Sequence, residues 1–393
     1  MFMKAPERFD RSEDELHEVA ARLCGLTDFG TGYRDGLRVL LASMDVDPRF
    51  TPQGRQLAWD AVVMTMVARA TAEENWKRYP EWRDHKIVKP ILITGLVRTG
   101  STALHKLMAV DPQFQGIENW LTAAPMPRPP RDQWRDHPGF QRAMRWLHDQ
   151  HSESPDVAIA HNVVADEVDE QLELQRQTFV SNRWACTWYS AGYDAWWTTQ
   201  DEKPSFLREL DLMKLIGCHT PNKRWLLKNP GSMSMYQWWL EEVPDVCIIQ
   251  THRDPLKAIP SISSTLHHIQ AACEGVEGAT RTKRLLGQRE NEKWAWMLEK
   301  GAPHREKARP SQVIDIHHAD FHADPMGTIG RIYDHFGLTL SAEAERLMAE
   351  RIEANPEGHG LHKYDLDSFG LNAGMIRERY RDYIRRYDVQ TSS

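Results

Sequence analysis

Apolar positions over the first 85 residues recur at helical spacing. Leu16, Val19, Ala20 and Leu23 share one face, and Ser12 and Glu15 stand at capping-box spacing ahead of them. Leu57 to Ala72 is a second such stretch, rich in Ala, Met and Val, and Gly30 and Gly32 mark a turn between the two. The pattern predicts helices over 11–85. At Lys89 the period changes. Pro90 to Thr94 is a short buried-strand run, and Thr102 to Val110 then predicts a helix stopped by Asp111-Pro112. Further strand runs lie at 224–228, 246–251 and 313–317, with helices predicted over Met233–Glu242 and Pro325–Phe336. Strands alternating with helices imply an α/β fold, with a central parallel sheet flanked by helices. The expected division is an N-terminal helical segment, 1–86, packed on an α/β domain, 87–393.

Composition narrows the class. The chain has 393 residues, 41% hydrophobic and 27% charged, as in ordinary soluble proteins. A net charge of −7 argues against nucleic acid as a partner. Five scattered cysteines read as free thiols in a reducing compartment. No apolar run approaches the ~18 residues of a membrane span, and the first residues lack an apolar h-region. A cytoplasmic location is therefore expected. Adjacent histidine pairs, His267-His268 and His317-His318, do not have metal-ligand spacing, so no metal is expected. A homodimer is the default expectation from base rates. The aromatic cluster Trp184, Trp188, Tyr189, Tyr193, Trp196 and Trp197 reads first as core, and second as an apolar acceptor pocket.

Candidate chemistry begins at Gly95-Leu96-Val97-Arg98-Thr99-Gly100-Ser101-Thr102. A strand that feeds a glycine loop and then a helix aims backbone N–H groups and the helix dipole at one point, which suits phosphate. Gly95 and Gly100 have the spacing of a phosphate-binding P-loop. Where a nucleoside triphosphatase needs lysine there is Ser101; Thr102 keeps the hydroxyl, and the cation is Arg98 inside the loop. An arginine there can fork onto a sulfate or a 5′-phosphate. A second anion site suggests itself after the 246–251 strand. Arg253 follows its carboxyl end, Pro255 suits a first helical turn, and Ser261 lies about two turns on.

Together these motifs resemble the sulfotransferases that use 3′-phosphoadenosine 5′-phosphosulfate (PAPS). Residues 93–102 resemble their 5′-phosphosulfate loop, and Arg253 through Ser261 their 3′-phosphate motif. Leu227-Lys228-Asn229-Pro230 resembles their strand-end lysine segment. Residues 316–325 and 362–371 are similar to later segments of a bacterial branch. The resemblance covers roughly 88–385. It implies a P-loop-like sulfotransferase fold, with an acceptor-site insertion around 120–220. Arg98, Thr99, Gly100, Ser101 and Thr102 would hold the 5′-phosphosulfate, Arg253 and Ser261 the 3′-phosphate, and Lys228 the transferring group. A basic stretch at His362 and Lys363 would close over the 3′-phosphate. The acceptor would be a small-molecule or lipid hydroxyl, the product adenosine 3′,5′-bisphosphate, and no metal would be needed, since phosphate is already a good leaving group.

Two family features are replaced. Cytosolic members carry a tryptophan on the helix after the loop, where this chain has Ala103. They carry a histidine base two residues after the lysine, where this chain has Pro230. Glu118, His161 and Glu167 are the candidate bases, each with an ordinary ion-paired or surface residue as its bland alternative. Two other functions remain open: a Mg-ATP-dependent P-loop kinase, against which Ser101 argues, and a non-catalytic nucleotide-binding protein.

Overall fold

In the computed structural model the described residues are 4–153, 164–354 and 365–391. Contacts group the chain into two units. One comprises Met1–Lys86, Ile117–Pro221 and Leu266–Thr282; the other comprises Ile87–Gly116, Asn222–Thr265 and Lys283–Ser393.

The described part of the first unit is helical. It opens with α1 (Glu13–Cys24), α2 (Arg34–Val46) and α3 (Pro52–Arg78). The capping box expected at Ser12 does not form: its hydroxyl donates to Phe9 O at 2.8 Å. Three acids in the first turn, Glu13, Asp14 and Glu15, complement the dipole of α1 instead. Helix α3 is capped by Thr51, whose Oγ1 accepts the Gly54 N–H at 2.9 Å, with Pro52 in its first turn. Its middle, Val62 to Ala68, is buried on every face, as in the central helix of a core. Arg69 is buried there as well. It is satisfied by the carbonyls of Phe29, Thr31 and Gln177 at 2.5, 2.5 and 2.8 Å, which also anchors the Gly30–Gly32 turn. Trp184, Trp188, Tyr193 and Trp197 are buried, and Phe179 stacks on Trp184 at 5.3 Å. Core packing accounts for these four.

The second unit is built on a five-stranded sheet in the order β2-β3-β1-β4-β5. The strands are β1 (Ile91–Gly95), β2 (Phe114–Gln115), β3 (Arg224–Lys228), β4 (Cys247–His252) and β5 (Val313–His317), all parallel. β1 runs buried throughout because strands flank it on both sides and helices cover the sheet. Helix α4 (Ser101–Met108) packs Leu104, Leu107 and Met108 into the same core as Ile91, Ile93, Leu226, Ile249 and Ile316. The chain leaves β1 toward one edge and β4 toward the other. The β1/β4 boundary is thus the switch point at which open α/β sheets bind ligands beyond their carboxyl ends.

Candidate functional site

The glycine loop leaves β1 at the switch point. Gly95 has φ 125°, and a Cβ there would lie 2.4 Å from the Thr251 carbonyl oxygen. Only glycine lets β1 and β4 close up at their ends. Gly100, at φ 82°, caps α4 in the left-handed region and turns the chain into the helix. Among the described residues, the N–H groups of Gly100, Ser101 and Thr102 have no backbone acceptor. They are the free donors of a helix start. Thr99 serves the frame: its hydroxyl lies 2.6 Å from Thr251 Oγ1 and donates to Leu96 O at 2.8 Å. Ser101 is buried, whereas Arg98 and Thr102 are exposed.

Residues far apart in sequence meet around this loop. Arg98 Nε donates to Ser261 Oγ at 3.0 Å, and Arg253 Nη1 donates to Arg98 O at 2.7 Å. Arg253 follows β4 directly. Asp254 then caps the helix that starts at Pro255, accepting the Leu256 N–H at 2.9 Å, and that helix carries Ser261. Lys228 closes β3 and pairs in register with Ile93 of β1. Arg98, Lys228 and Arg253 therefore stand at the carboxyl ends of three neighbouring strands, β1, β3 and β4.

The interior beside Lys228 is polar. His105, buried on α4, bonds the Leu226 backbone. Its pKa is pushed down to about 3 by burial and by the Lys228 charge, so it stays neutral. Asn229 spends its Oδ1 on the Gly231 N–H at 2.9 Å, and its Nδ2 is buried with no partner among the described residues. Free loop amides, an orphaned amide donor and three cations form a donor-rich, acceptor-poor set. That chemistry fits a ligand with several anionic oxygens.

Glu118 and Glu167 meet in the first unit. Glu118 follows β2 by three residues and bridges Val168, while Asn119 N–H donates to Glu167 O at 3.1 Å. The Glu118 carboxylate is held by Arg128, whose Nε and Nη2 both donate to Oε2 at 3.0 Å. The same pairing brings in Asp169, which the sequence reading did not single out. Its N–H donates to Ile117 O at 2.7 Å, and Asn119 Nδ2 donates to its Oδ2, also at 2.7 Å. Burial, and then the nearby Glu173 charge, raise the Asp169 pKa above the ordinary carboxylate range. An aspartate four residues before a glutamate gave no signal by spacing alone. His161, His362 and Lys363 lie outside the described residues. Among those described, no three His, Cys, Asp or Glu residues group as metal ligands, and no helix is long and apolar enough to cross a membrane.

Comparison with known proteins agrees with this architecture. Residues 90–342 match the sequence profile of the sulfotransferase family. The crystal structure of sulfotransferase STF1 from Mycobacterium tuberculosis H37Rv is 34% identical and superposes with a TM-score of 0.85, over 96% of this chain and 100% of that one. That of sulfotransferase STF9 from Mycobacterium avium shares the fold at 22% identity, with a TM-score of 0.84 over 96% and 97%. A curated relative, omega-hydroxy-beta-dihydromenaquinone-9 sulfotransferase Stf3 of Mycobacterium bovis, is 25% identical over 268 residues. The match spans 63% of each chain.

Proposed function

This chain belongs to the sulfotransferase family, and we propose that it transfers a sulfuryl group from PAPS to a hydroxyl on an apolar small molecule or lipid. The observation that carries this reading is the arrangement of Arg98, Lys228 and Arg253 on three neighbouring strand ends around the free N–H groups of α4. In this reading Arg98, Gly100, Ser101 and Thr102 hold the 5′-phosphosulfate, with Thr99 bracing their loop. Arg253 and Ser261 hold the 3′-phosphate, and His362 and Lys363 close over it.

The acceptor oxygen attacks sulfur as the bond from sulfur to the leaving phosphate oxygen breaks. Negative charge moves onto that phosphate, where Arg98 stabilises it, while Lys228 steadies the oxygens of the sulfuryl group in transit. The acceptor's proton passes to a base, and Glu118, His161 and Glu167 are joined as candidates here by Asp169. With the Glu118 carboxylate committed to Arg128, Asp169 is the better match: a base whose pKa is raised toward the working pH accepts a proton more readily. The apolar acceptor is supported by the name of the curated relative, whose substrate is a hydroxylated menaquinone.

The direct test is to supply sulfur-labelled PAPS with hydroxylated steroids, phenols, long-chain alcohols and quinone lipids, in a chelator. Labelled product from at least one class is expected; phosphoryl transfer from Mg-ATP instead would overturn the reading. Within it, Arg253→Ala should weaken adenosine 3′,5′-bisphosphate by about 1.5–3 kcal/mol, roughly ten- to a hundred-fold, the worth of a charge-assisted contact. Calorimetry checks this, and an unchanged affinity would move the 3′-phosphate elsewhere.

A further inference from the structure

The segment 117–120 runs antiparallel to 165–169, paired at Glu118 and Val168. The Asn119 N–H donates to Glu167 O and the Trp120 N–H to Ala165 O, both at 3.1 Å. Asn119 opens the short helix Asn119–Ala123, and its carbonyl accepts the Thr122 hydroxyl at 2.7 Å. Trp120, fully buried, anchors that helix against Trp134 and Phe140, with ring centroids 5.7 and 5.8 Å away. The backbone of Asn119 is therefore tied down on both sides, and its half-buried side chain starts from a fixed root.

From that root the amide reaches Asp169. Its Nδ2 donates to Oδ2 at 2.7 Å, while the Glu170 N–H donates to Oδ1, also at 2.7 Å. A base works in its ionised state, and an ionised carboxylate only accepts, so the amide must present its nitrogen. Each Asp169 oxygen has two lone pairs, so one bond to each leaves capacity for an incoming hydroxyl.

The charges around Asp169 do not favour its ionised form in the same way. Burial, then Glu173 and Glu170 on its own segment, work against it. Arg176 and Arg183 sense its charge, but both pair with Glu173, Arg176 at 3.2 Å. Across the pairing stand Glu167 and Glu118, the latter held by Arg128. Asn119 brings a neutral donor that favours a charged carboxylate and adds no charge to compete with it.

We infer that Asn119 is a positioning residue for Asp169: it aims the carboxylate and stabilises its charged form, ready for the acceptor's proton. The inference rests on Asp169 as the base proposed above. In this role Asn119 touches no reacting atom.

The test is the pH profile of kcat/KM on the full chain, with PAPS and the acceptor class that gives most product in the screen above. Losing the donor makes Asp169 hold its proton to higher pH, so the acid limb should move up. Asn119→Ala should lower kcat/KM about ten-fold below that limb, the worth of a hydrogen bond to a charged group, and clearly less above it. Asn119→Asp keeps the side-chain shape but sets a like charge against Asp169, and should move the limb further up. The carboxyl carbon resonance of Asp169 in aspartate-labelled protein, assigned by its absence in Asp169→Asn, reads the same shift with no acceptor present. An equal loss at every pH, with the resonance titrating as in the wild type, would mark a purely structural role and overturn the inference; so would unmoved profiles in both variants. Normal turnover by Asp169→Asn would remove the base itself, and the inference would fall with it.

Discussion

Lys228→Met is expected to lower kcat by about 10²–10³, the usual cost of removing one preorganised donor from a developing oxyanion. The residue is 3% exposed at the end of β3, so the side chain works where water does not dilute its field. Methionine keeps most of the apolar stem and removes only the charge. His105 is already neutral beside it, so it does not replace the lost charge. The product bisphosphate has no sulfuryl group, so its affinity should be nearly unchanged. Steady-state rates with bisphosphate titration separate the two effects. A variant that turns over normally would remove Lys228 from the transition state.

The second large effect is expected at Asp169. Replacement by asparagine keeps the shape, so the contact with Asn119 can persist, but removes the proton acceptor; the rate should fall by about 10²–10⁴ with bisphosphate binding intact. The pH profile carries a sign. A base acts only when deprotonated, so activity is lost as pH falls through its pKa. Because the Asp169 pKa is raised, that acid limb should lie above the ordinary aspartate range. Stability runs the other way. The folded chain holds this proton to higher pH than the unfolded chain, so the group's contribution declines as pH rises between the ordinary and the raised value. If Asp169→Asn keeps full activity while Glu118→Gln loses it, the role returns to Glu118 despite its pairing with Arg128.

Much of the second unit was legible in the chain. β1, β3, β4 and β5 fall on the short apolar-rich runs at 90–94, 224–228, 246–251 and 313–317, and the helix Pro325–Phe336 lies where its apolar period and proline predict. β2 was not legible, because two residues carry no period and Phe114–Gln115 gains its strand geometry only from β3. Helix α2 was not resolved from its neighbours, since apolar spacing shows helix but not where one helix ends. In the candidate site, the loop and Arg253 were readable because short segments carry them. The pairing of Arg98 with Ser261 spans 163 positions, and nothing local announces it. Asp169 and its contact with Asn119 were missed for the same reason. The two lie 50 positions apart, and burial by distant segments has no period in the sequence.

The central claim is that the loop after β1 and the residues after β4 together read a nucleotide phosphorylated at both its 3′ and 5′ positions. Calorimetric titration with adenosine 3′,5′-bisphosphate in the presence of a chelator, beside ATP with magnesium, tests it most directly. Tight binding of the bisphosphate without metal, and much weaker binding of Mg-ATP, is the predicted result; a preference for Mg-ATP, or no binding of either, would contradict it.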